Sequence, residues 1–241
     1  MKNYLILFVA AALLGSSCGY IGGKRVRGNG NVRSEERMLS AFSAVQVSGA
    51  MDVILVQDSV QKVKIEADDN LIPYIVTSIM GDKLEVRTKR GYNLRPTGKM
   101  KIYVSSPSFS KVDVSGACNI FGEGVINNNR DISLEVSGAG DIKLQVNAPK
   151  VSAEVSGSGS MELKGETRDF EAELSGAGTI HCFDLKSENT KLRISGAGDA
   201  EVFASVSLDA RVSGAGSVRY KGNATTVNQK VSGAGSVKKA D

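Results

Sequence analysis

The sequence contains no tryptophan, a single histidine and three cysteines among its 241 residues. His181 has no cysteine or aspartate near it in the sequence that suits a nucleophile or partner, which excludes a Ser-His triad and a histidine-based zinc site. Exposed aromatic rings suit a sugar-binding surface, but Phe170 and Tyr220 occupy inward positions of the pattern described below. We therefore expect no catalytic residue, no metal site and no cofactor.

Cys118 and Cys182 are too far apart to form a disulfide bond. Cys118 and Cys182 lie three repeat units apart, which corresponds to roughly 14 Å between stacked strands and forbids a disulfide. Cys118 falls at a corner of the pattern and Cys182 on an inward position, as small buried thiols do. The formal net charge is +4, and the near-neutral balance of the repeats gives nucleic acid no basic surface to bind.

What the sequence does contain is a repeated tetrapeptide, Ser-Gly-Ala-Gly. From Ser115 onward it returns about every 19 residues, a period typical of stacked structural units. The complete or singly substituted motif begins at Ser48, Ser115, Ser137, Ser156, Ser175, Ser195, Ser213 and Ser232.

Apolar and polar residues alternate around each motif. Leu134 and Val136 precede one motif, Ile142 and Leu144 follow it, and the next units repeat this arrangement. Period two indicates strands, whereas helical repeats need apolar residues three and four apart. The sequence therefore predicts an all-β protein, a right-handed parallel β-helix (β-solenoid) with coils of about 19 residues.

Glycines replace side chains at the motif. Gly138 and Gly140 both fall on inward phases of the alternation, so we expect a sharp corner where two sheets converge, only glycine fits, and positive φ is accessible. The predicted corner glycines are Gly138, Gly140, Gly157, Gly159, Gly176, Gly178, Gly196, Gly198, Gly214, Gly216, Gly233 and Gly235.

The N-terminal segment is predicted to direct export. Residues 1–17 hold one lysine, an apolar run and small residues, which is typical of a secretory signal peptide and too short to span a membrane as a mature helix. Leu14-Gly15-Ser16-Ser17-Cys18 resembles the bacterial lipoprotein signal, with the leucine one place earlier than usual. The resemblance implies lipidation of Cys18 and a membrane anchor; secretion without a lipid is the alternative.

The rest of the chain is predicted to form one domain. Residues 18–38 combine glycines with Lys and Arg, which indicates a lipid-anchored flexible tether. A single solenoid then fills 39–241, with irregular capping coils over 39–109 and regular repeats over 110–241. One short helix is expected near 70–80, where apolar residues have helical spacing.

A charged residue stands two places before each motif serine, on an outward phase. If the coils stack in register, these residues form one ladder, acidic first and basic afterwards, and like charges this close cost roughly a few tenths of a kcal/mol per pair unless a partner or salt offsets them. A surface that guides side-by-side self-association is one interpretation; a solvated face with accidental ordering is the other. The predicted stripe is Glu135, Glu154, Glu173, Arg193, Arg211 and Lys230, preceded by Asp113.

Aspartates follow some of the motifs directly. Asp52, Asp141 and Asp199 occupy this place, but serine or threonine takes it in other units, unlike the calcium-binding nonapeptide β-roll. Such side chains hydrogen-bond to nearby backbone, so we expect a local structural role and no calcium.

Several segments together resemble a known family. The signal peptide with Cys18, the strand Val45-Gln46-Val47-Ser48-Gly49, the segment Asn70-Leu71-Ile72-Pro73-Tyr74 and the serial SGAG turns are similar to the putative auto-transporter adhesin, head GIN domain family of Bacteroidetes-type cell-envelope proteins. The resemblance implies a β-helix related in shape to pectin lyase folds without their catalytic residues, and a role in adhesion. It also implies residence at the outer membrane, on its surface or its periplasmic face.

Three classes of function fit these features. The first is a non-catalytic cell-envelope or cell-surface lipoprotein, an adhesin or structural module whose partner is a host or envelope ligand or a second copy. The second is a polysaccharide-binding or polysaccharide-active β-helix protein, and the third is a periplasmic structural scaffold. We expect the first, because the sequence specifies a rigid rod and holds no reactive cluster.

Overall fold

The computed structural model describes residues 23–240, which form a β-solenoid of about 6 turns and confirm the predicted all-β fold. Each regular turn is here called a rung and contains two strands. The first strand belongs to the serine sheet, which carries the motif serines, and the second belongs to the opposite sheet. The strands are β1 (Lys24–Arg27), β2 (Val32–Met38), β3 (Ala44–Gly49), β4 (Asp52–Gln57), β5 (Lys62–Asp68), β6 (Ile75–Met80), β7 (Lys83–Thr88), β8 (Tyr92–Arg95), β9 (Lys101–Ser106), β10 (Lys111–Gly116), β11 (Asn119–Asn127), β12 (Ile132–Gly138), β13 (Asp141–Gly157), β14 (Ser160–Gly176), β15 (Thr179–Cys182), β16 (Leu185–Gly196), β17 (Asp199–Phe203), β18 (Ser207–Gly214), β19 (Ser217–Lys221), β20 (Thr226–Gly233) and β21 (Ser236–Lys239).

The serine sheet is parallel and keeps one register from rung to rung. β3 pairs with β10 and β10 with β12, and the sheet continues through the second parts of β13, β14 and β16 to β18 and β20. Equivalent residues therefore stack, as Ser115 does on Ser137 and Ser137 on Ser156. Because neighbouring strands lie about 4.8 Å apart, every outward position becomes a column along the rod.

The opposite sheet is also parallel through the rungs. It runs from β9 through β4, β11 and the first parts of β13 and β14, then through β15, β17 and β19 to β21. β13 and β14 belong to both sheets because the chain crosses from one to the other by bending, around residues 148–150 in β13, without leaving the strand. We call this side of the rod the bend edge; the glycine motifs form the corner edge.

The core follows the alternation read from the sequence. Leu134, Val136 and Ile142 are fully or almost fully buried, and Leu144 is 4% exposed. Equivalent residues of successive rungs stack on one another, for example Val136 on Val155. Because each apolar side chain meets its counterpart above and below, the solenoid buries a continuous column even though no rung encloses a core alone.

The two glycines of a motif have different roles. Gly138 is exposed and has φ 123°, and a Cβ on it would lie 2.7 Å from the carbonyl oxygen of Gly116 on the preceding rung. The expectation that both glycines face inward is therefore wrong for Gly138. Glycine is required at this position because the backbone has a positive φ and the main chain of the preceding rung lies very close. Gly140 is buried, and a Cβ there would overlap the Cys118 carbonyl oxygen and crowd Val114.

The alanine between the glycines joins neighbouring rungs at the corner edge. The Ala139 N–H donates to the Gly116 carbonyl at 2.9 Å, and the Ala177 N–H donates to the Gly157 carbonyl at 2.9 Å. A hydrogen-bond ladder thus continues through the turn, where strand pairing would otherwise stop.

The first rung is not the end of the rod. β7 pairs with β3 and β9 with β4 on the side away from β10 and β11. β6 then adds to β7, and β5 and β2 add to β9, all as antiparallel strands. The N-terminal end of the stack is thereby covered by strands that run against the solenoid register, which is one way to close a sheet edge.

The predicted flexible tether is wrong within its described part. Residues 24–27 pair with β8, and residues 32–38 pair with β5, so the folded part begins well before residue 39. The polar composition that suggested flexibility is compatible with an edge strand, because backbone hydrogen bonds hold it without side-chain burial. Asp68, 2% exposed, adds an anchor, since its carboxylate accepts from the Gly30 N–H at 2.7 Å and from the Thr97 hydroxyl at 2.7 Å.

The helix predicted near residues 70–80 is also wrong in extent. One 3₁₀ turn spans Ile72–Tyr74, and the chain continues directly into β6. Leu71, Ile72 and Ile75 are all buried, so their helical spacing reflects one tight turn that delivers three side chains to the core. Among the described residues, no helical segment has the length and apolar character that crossing a membrane requires.

Candidate interaction surfaces

The charged stripe forms a continuous column on the outer face of the serine sheet. Strand pairing stacks Asp113 on Glu135, Glu135 on Glu154 and Glu154 on Glu173. It continues with Glu173 on Arg193, Arg193 on Arg211 and Arg211 on Lys230. We call these seven residues the charge ladder: its first part is acidic, its second part is basic, and the sign changes between β14 and β16.

Only part of the charge ladder is neutralised within the chain. Lys111 Nζ lies 2.6 Å from Glu135 Oε1, and Asp209 Oδ2 lies 3.1 Å from Arg211 Nη2. Among the described residues, by contrast, Glu154, Glu173 and Lys230 form no ion pair. The stacked carboxylates of Glu154 and Glu173 are exposed, so two like charges face solvent on neighbouring strands.

The acidic end of the charge ladder is electrostatically crowded. Burial raises the pKa of Asp113, and the adjacent Glu135 carboxylate raises it further. The hydrogen bond to Glu135 raises the pKa of the Lys111 ammonium. The Lys111 ammonium is therefore stabilised in its charged form, because it relieves the repulsion between the neighbouring Asp113 and Glu135 carboxylates.

Beside the charge ladder, Glu171 is the most strongly paired carboxylate of the serine sheet. Lys150 Nζ lies 2.9 Å and Lys191 Nζ 3.0 Å from its oxygens, and Arg193 Nη1 lies 3.6 Å away. The hydrogen bonds from Lys150 and then Lys191 lower the pKa of Glu171 to about 2, against an ordinary value of 4.5.

Acidification is expected to destabilise the fold through Glu171. Because its folded pKa is depressed, the stability it contributes is present above about pH 4.5 and is lost as the pH falls through about 2. Urea unfolding midpoints measured between these pH values should fall less steeply for Glu171→Gln than for the natural protein. Lys150→Met combined with Lys191→Met removes the two partners that lower the pKa of Glu171, and it should flatten the slope in the same way. Equal slopes for all three proteins would contradict the prediction.

The motif serines form a second column next to the charge ladder. Ser137, Ser156 and Ser175 stack directly and are exposed. Their small side chains leave one flank of the serine sheet nearly flat, so a partner could approach the ladder closely from this side.

A groove runs along the bend edge and encloses about 660 Å³. Its wall includes an amide ladder in which Asn147 Nδ2 donates to Asn127 Oδ1 at 2.9 Å and the Glu166 N–H donates to Asn147 Oδ1 at 3.1 Å. Lys186 and Phe203 also line it, with the ammonium 4.3 Å from the ring centroid. The groove crosses several rungs and offers amides, charges and one aromatic ring.

The outer face of the opposite sheet carries a row of paired polar side chains that sequence reasoning missed. His181 Nδ1 lies 3.0 Å from Glu201 Oε2, and Arg219 pairs with the same carboxylate. Burial acts to raise the pKa of Glu201, but the His181 hydrogen bond and the Arg219 charge outweigh it and lower the pKa. The signal was present in the sequence, since His181, Glu201 and Arg219 are equivalent positions of successive units.

Half-buried phenylalanines on this outer surface were missed as well. Phe183 has Lys221 Nζ 5.2 Å from its ring centroid, and Phe203 lies under Lys186. Phe170 is buried and Tyr220 partly buried, at the inward positions expected for them. Their outward positions could have been read from the alternation, since Phe183 follows His181 and Phe203 follows Glu201 by two residues.

The remaining chemical groups have structural surroundings. Both Cys118 and Cys182 are free and fully buried, and burial raises the pKa of the Cys118 thiol to about 11 and that of Cys182 further. Asp141 accepts from the Ser160 hydroxyl at 2.5 Å on the next rung. Within residues 23–240, no group of three or more His, Cys, Asp or Glu has an arrangement that could hold a metal ion. The predicted lipidation site, Cys18, lies outside the described residues.

Three solved structures resemble this fold. One is that of a putative adhesin from Bacteroides fragilis (22% identity, TM-score 0.85, 89% of this chain and 100% of that chain). Another is that of a putative lipid binding protein from Parabacteroides distasonis (24% identity, TM-score 0.74, 90% and 100% covered). At these identities both show the fold alone. The third is that of a putative adhesin from Parabacteroides merdae (26% identity, TM-score 0.71, 90% and 100% covered).

The sequence itself carries a family signature. A comparison with curated proteins gives no match. Residues 41–224, however, match a family description over most of the chain, including the first rung, strands β5–β7 and β9 at the N-terminal end of the stack, and most of the repeats. The chain therefore belongs to the family described as putative auto-transporter adhesin, head GIN domain.

Proposed function

We propose that this protein is a non-catalytic adhesion module of the cell envelope, anchored in the outer membrane through lipid on Cys18. The observation that carries the proposal is the in-register outer surface of the solenoid, which repeats the same outward positions along a rigid rod. Repetition of that kind suits extended or repetitive ligands, because several weak contacts act together. Membership of an adhesin-type family supports the same role.

The groups that would carry out catalysis have surroundings that favour a non-catalytic role. The Cys118 and Cys182 thiols stay protonated at neutral pH because burial raises their pKa. The His181 side chain is 52% exposed on the outer face of the opposite sheet and is paired with Glu201 of the next rung. These features support a surface made for binding.

Protease treatment of intact cells tests the location. An adhesin on the cell surface is expected to be lost when protease is added to whole cells, and Cys18→Ser is expected to release the protein from the membrane fraction. Beads coated with the purified protein are expected to bind envelope or host-cell material that uncoated beads do not retain. Protection of the protein in intact cells and its degradation only after outer-membrane rupture would favour the periplasmic scaffold and overturn the adhesin.

Glycan binding is a second candidate, favoured by the groove at the bend edge. Phe203, half-buried under Lys186, provides a ring for a sugar face, and the amides of Asn127 and Asn147 provide hydrogen-bonding groups. A glycan array probed with the natural protein and with Phe203→Ala tests this. Specific signals that Phe203→Ala removes would establish glycan binding, while an empty array would count against it and leave the adhesive role to other ligands.

A further inference from the structure

We propose that the charge ladder is a self-association surface, on which a second copy of this chain packs face to face with its solenoid axis antiparallel. The inference does not depend on the adhesive role proposed above. It starts from the stacking of Glu135, Glu154 and Glu173 below Arg193, Arg211 and Lys230 in one unbroken column.

Charge selects the symmetry of this pair. A two-fold axis along the rod would bring each rung against itself, so acidic residues would face acidic ones. A two-fold axis parallel to the strands, passing between Glu173 and Arg193, reverses the rung order of the second copy instead. Each half of the charge ladder then faces the half of opposite sign, and the contact closes on itself as a dimer.

Under this two-fold rotation, each charge-ladder residue from Glu135 to Lys230 faces a residue of opposite charge on the second copy. Glu173 faces Arg193 of the second copy, Glu154 faces its Arg211, and Glu135 faces its Lys230, with the same three pairs made in the other direction. The carboxylates of Glu154 and Glu173, which form no ion pair among the described residues, each gain a guanidinium. The repulsion between stacked like charges is offset at the same time.

The columns on either side of the ladder are compatible with this arrangement. Glu171, two residues before Glu173, would face Lys191 of the second copy, since these residues occupy neighbouring rungs of one column. The motif serines would face one another, and their small side chains allow the two sheets to approach. No pair of like charges is created in either flanking column.

The size of the face sets the strength of the contact. Six rungs at about 4.8 Å and five residues at about 3.3 Å give a face of roughly 500 Å² per copy, which belongs to weak, transient interfaces. The pairs are solvent-exposed, and salt screens them over a Debye length of about 10 Å at 0.1 M. The dimer should therefore be populated at high protein concentration and low ionic strength.

Sedimentation equilibrium of the natural protein and two charge-reversed variants tests the proposal. One variant carries Arg193→Glu with Arg211→Glu, which makes the ladder acidic from Asp113 to position 211 and leaves Lys230 basic. The other carries Glu154→Arg with Glu173→Arg, which makes it basic from position 154 to Lys230 and leaves Asp113 and Glu135 acidic. The natural protein is expected to dimerise at low salt and to dissociate at high salt, and the Kd of each variant alone is expected to rise about 10-fold or more.

Mixing the two variants is the decisive measurement. The four central ladder positions are acidic in one variant and basic in the other, and the unchanged Glu135 and Lys230 still face each other under the same two-fold rotation. The mixture is therefore expected to recover a dimer that neither variant forms alone. The control is Lys238→Glu with Lys239→Glu, which changes the net charge as the first variant does but on the last strand of the opposite sheet, and it should dimerise normally. A monomeric natural protein at low salt, variants that dimerise alone, or a mixture that stays monomeric would each overturn the proposal.

Discussion

Val155→Lys is expected to destabilise the solenoid strongly at neutral pH. Val155 is fully buried and stacks between Val136 and Leu174 of the neighbouring rungs, so an ammonium at its place would lie among apolar side chains without water. Burying an unpaired charge in such a site costs more than about 4 kcal/mol. Urea unfolding followed by circular dichroism would measure the loss.

The pH dependence of this variant identifies the cause. Because the penalty falls on the charged amine, the folded state lowers the pKa of the introduced lysine, and stability should recover as the pH rises toward about 10. Ser156→Lys puts the same side chain one residue later, on the outward face, and should change stability by about 0.5 kcal/mol or less. Equal losses for the two variants would refute the inward assignment of Val155.

Gly176→Val is expected to be nearly as damaging, for a different reason. Gly176 has φ 121°, and a Cβ on it would lie 2.5 Å from the carbonyl oxygen of Gly157. Left-handed backbone strain in a β-branched residue and overpacking against a main chain together cost about 3–5 kcal/mol. The Ala177 N–H bond to the same carbonyl would be strained as well.

Ala177→Ser is the control that shows whether the loss comes from replacing the glycine or from any substitution in the turn. Ala177→Ser keeps the left-handed glycines on both rungs and adds one hydroxyl at an exposed position, so its unfolding midpoint should stay close to that of the natural protein. Thermal and urea unfolding of the two variants would measure the difference. If Gly176→Val unfolds at the same urea concentration as Ala177→Ser, the corner does not depend on glycine.

The repeat made most of the fold predictable. Period-two alternation around a motif that recurs at near-constant spacing determines which residues face inward, and in-register stacking then follows because equivalent residues must meet. The charge ladder could be anticipated for that reason, as Glu154 and Glu173 occupy the same place in successive units. The direction of Gly138 could not, because its left-handed backbone breaks the simple alternation at the corner.

Segments outside the repeat were harder to predict. β2 is stabilised by backbone pairing with β5 and has few buried side chains, so its polar sequence was mistaken for a tether. The turn at Ile72–Tyr74 satisfies helical spacing for only a few residues before the chain extends. The bend-edge groove depends on side chains from several units of unequal length, and no single unit contains a signal for it.

The placement of β7 and β9 outside the first rung has a consequence for the order of assembly. β3 and β4 cannot pair with β7 and β9 until the chain has been synthesised as far as Ser106. Every later rung needs only the rung before it. When the chain folds from its N-terminus, the strands at the N-terminal end of the stack must therefore assemble together through long-range contacts. The solenoid then grows rung by rung, because each finished rung presents the strands on which the next one pairs.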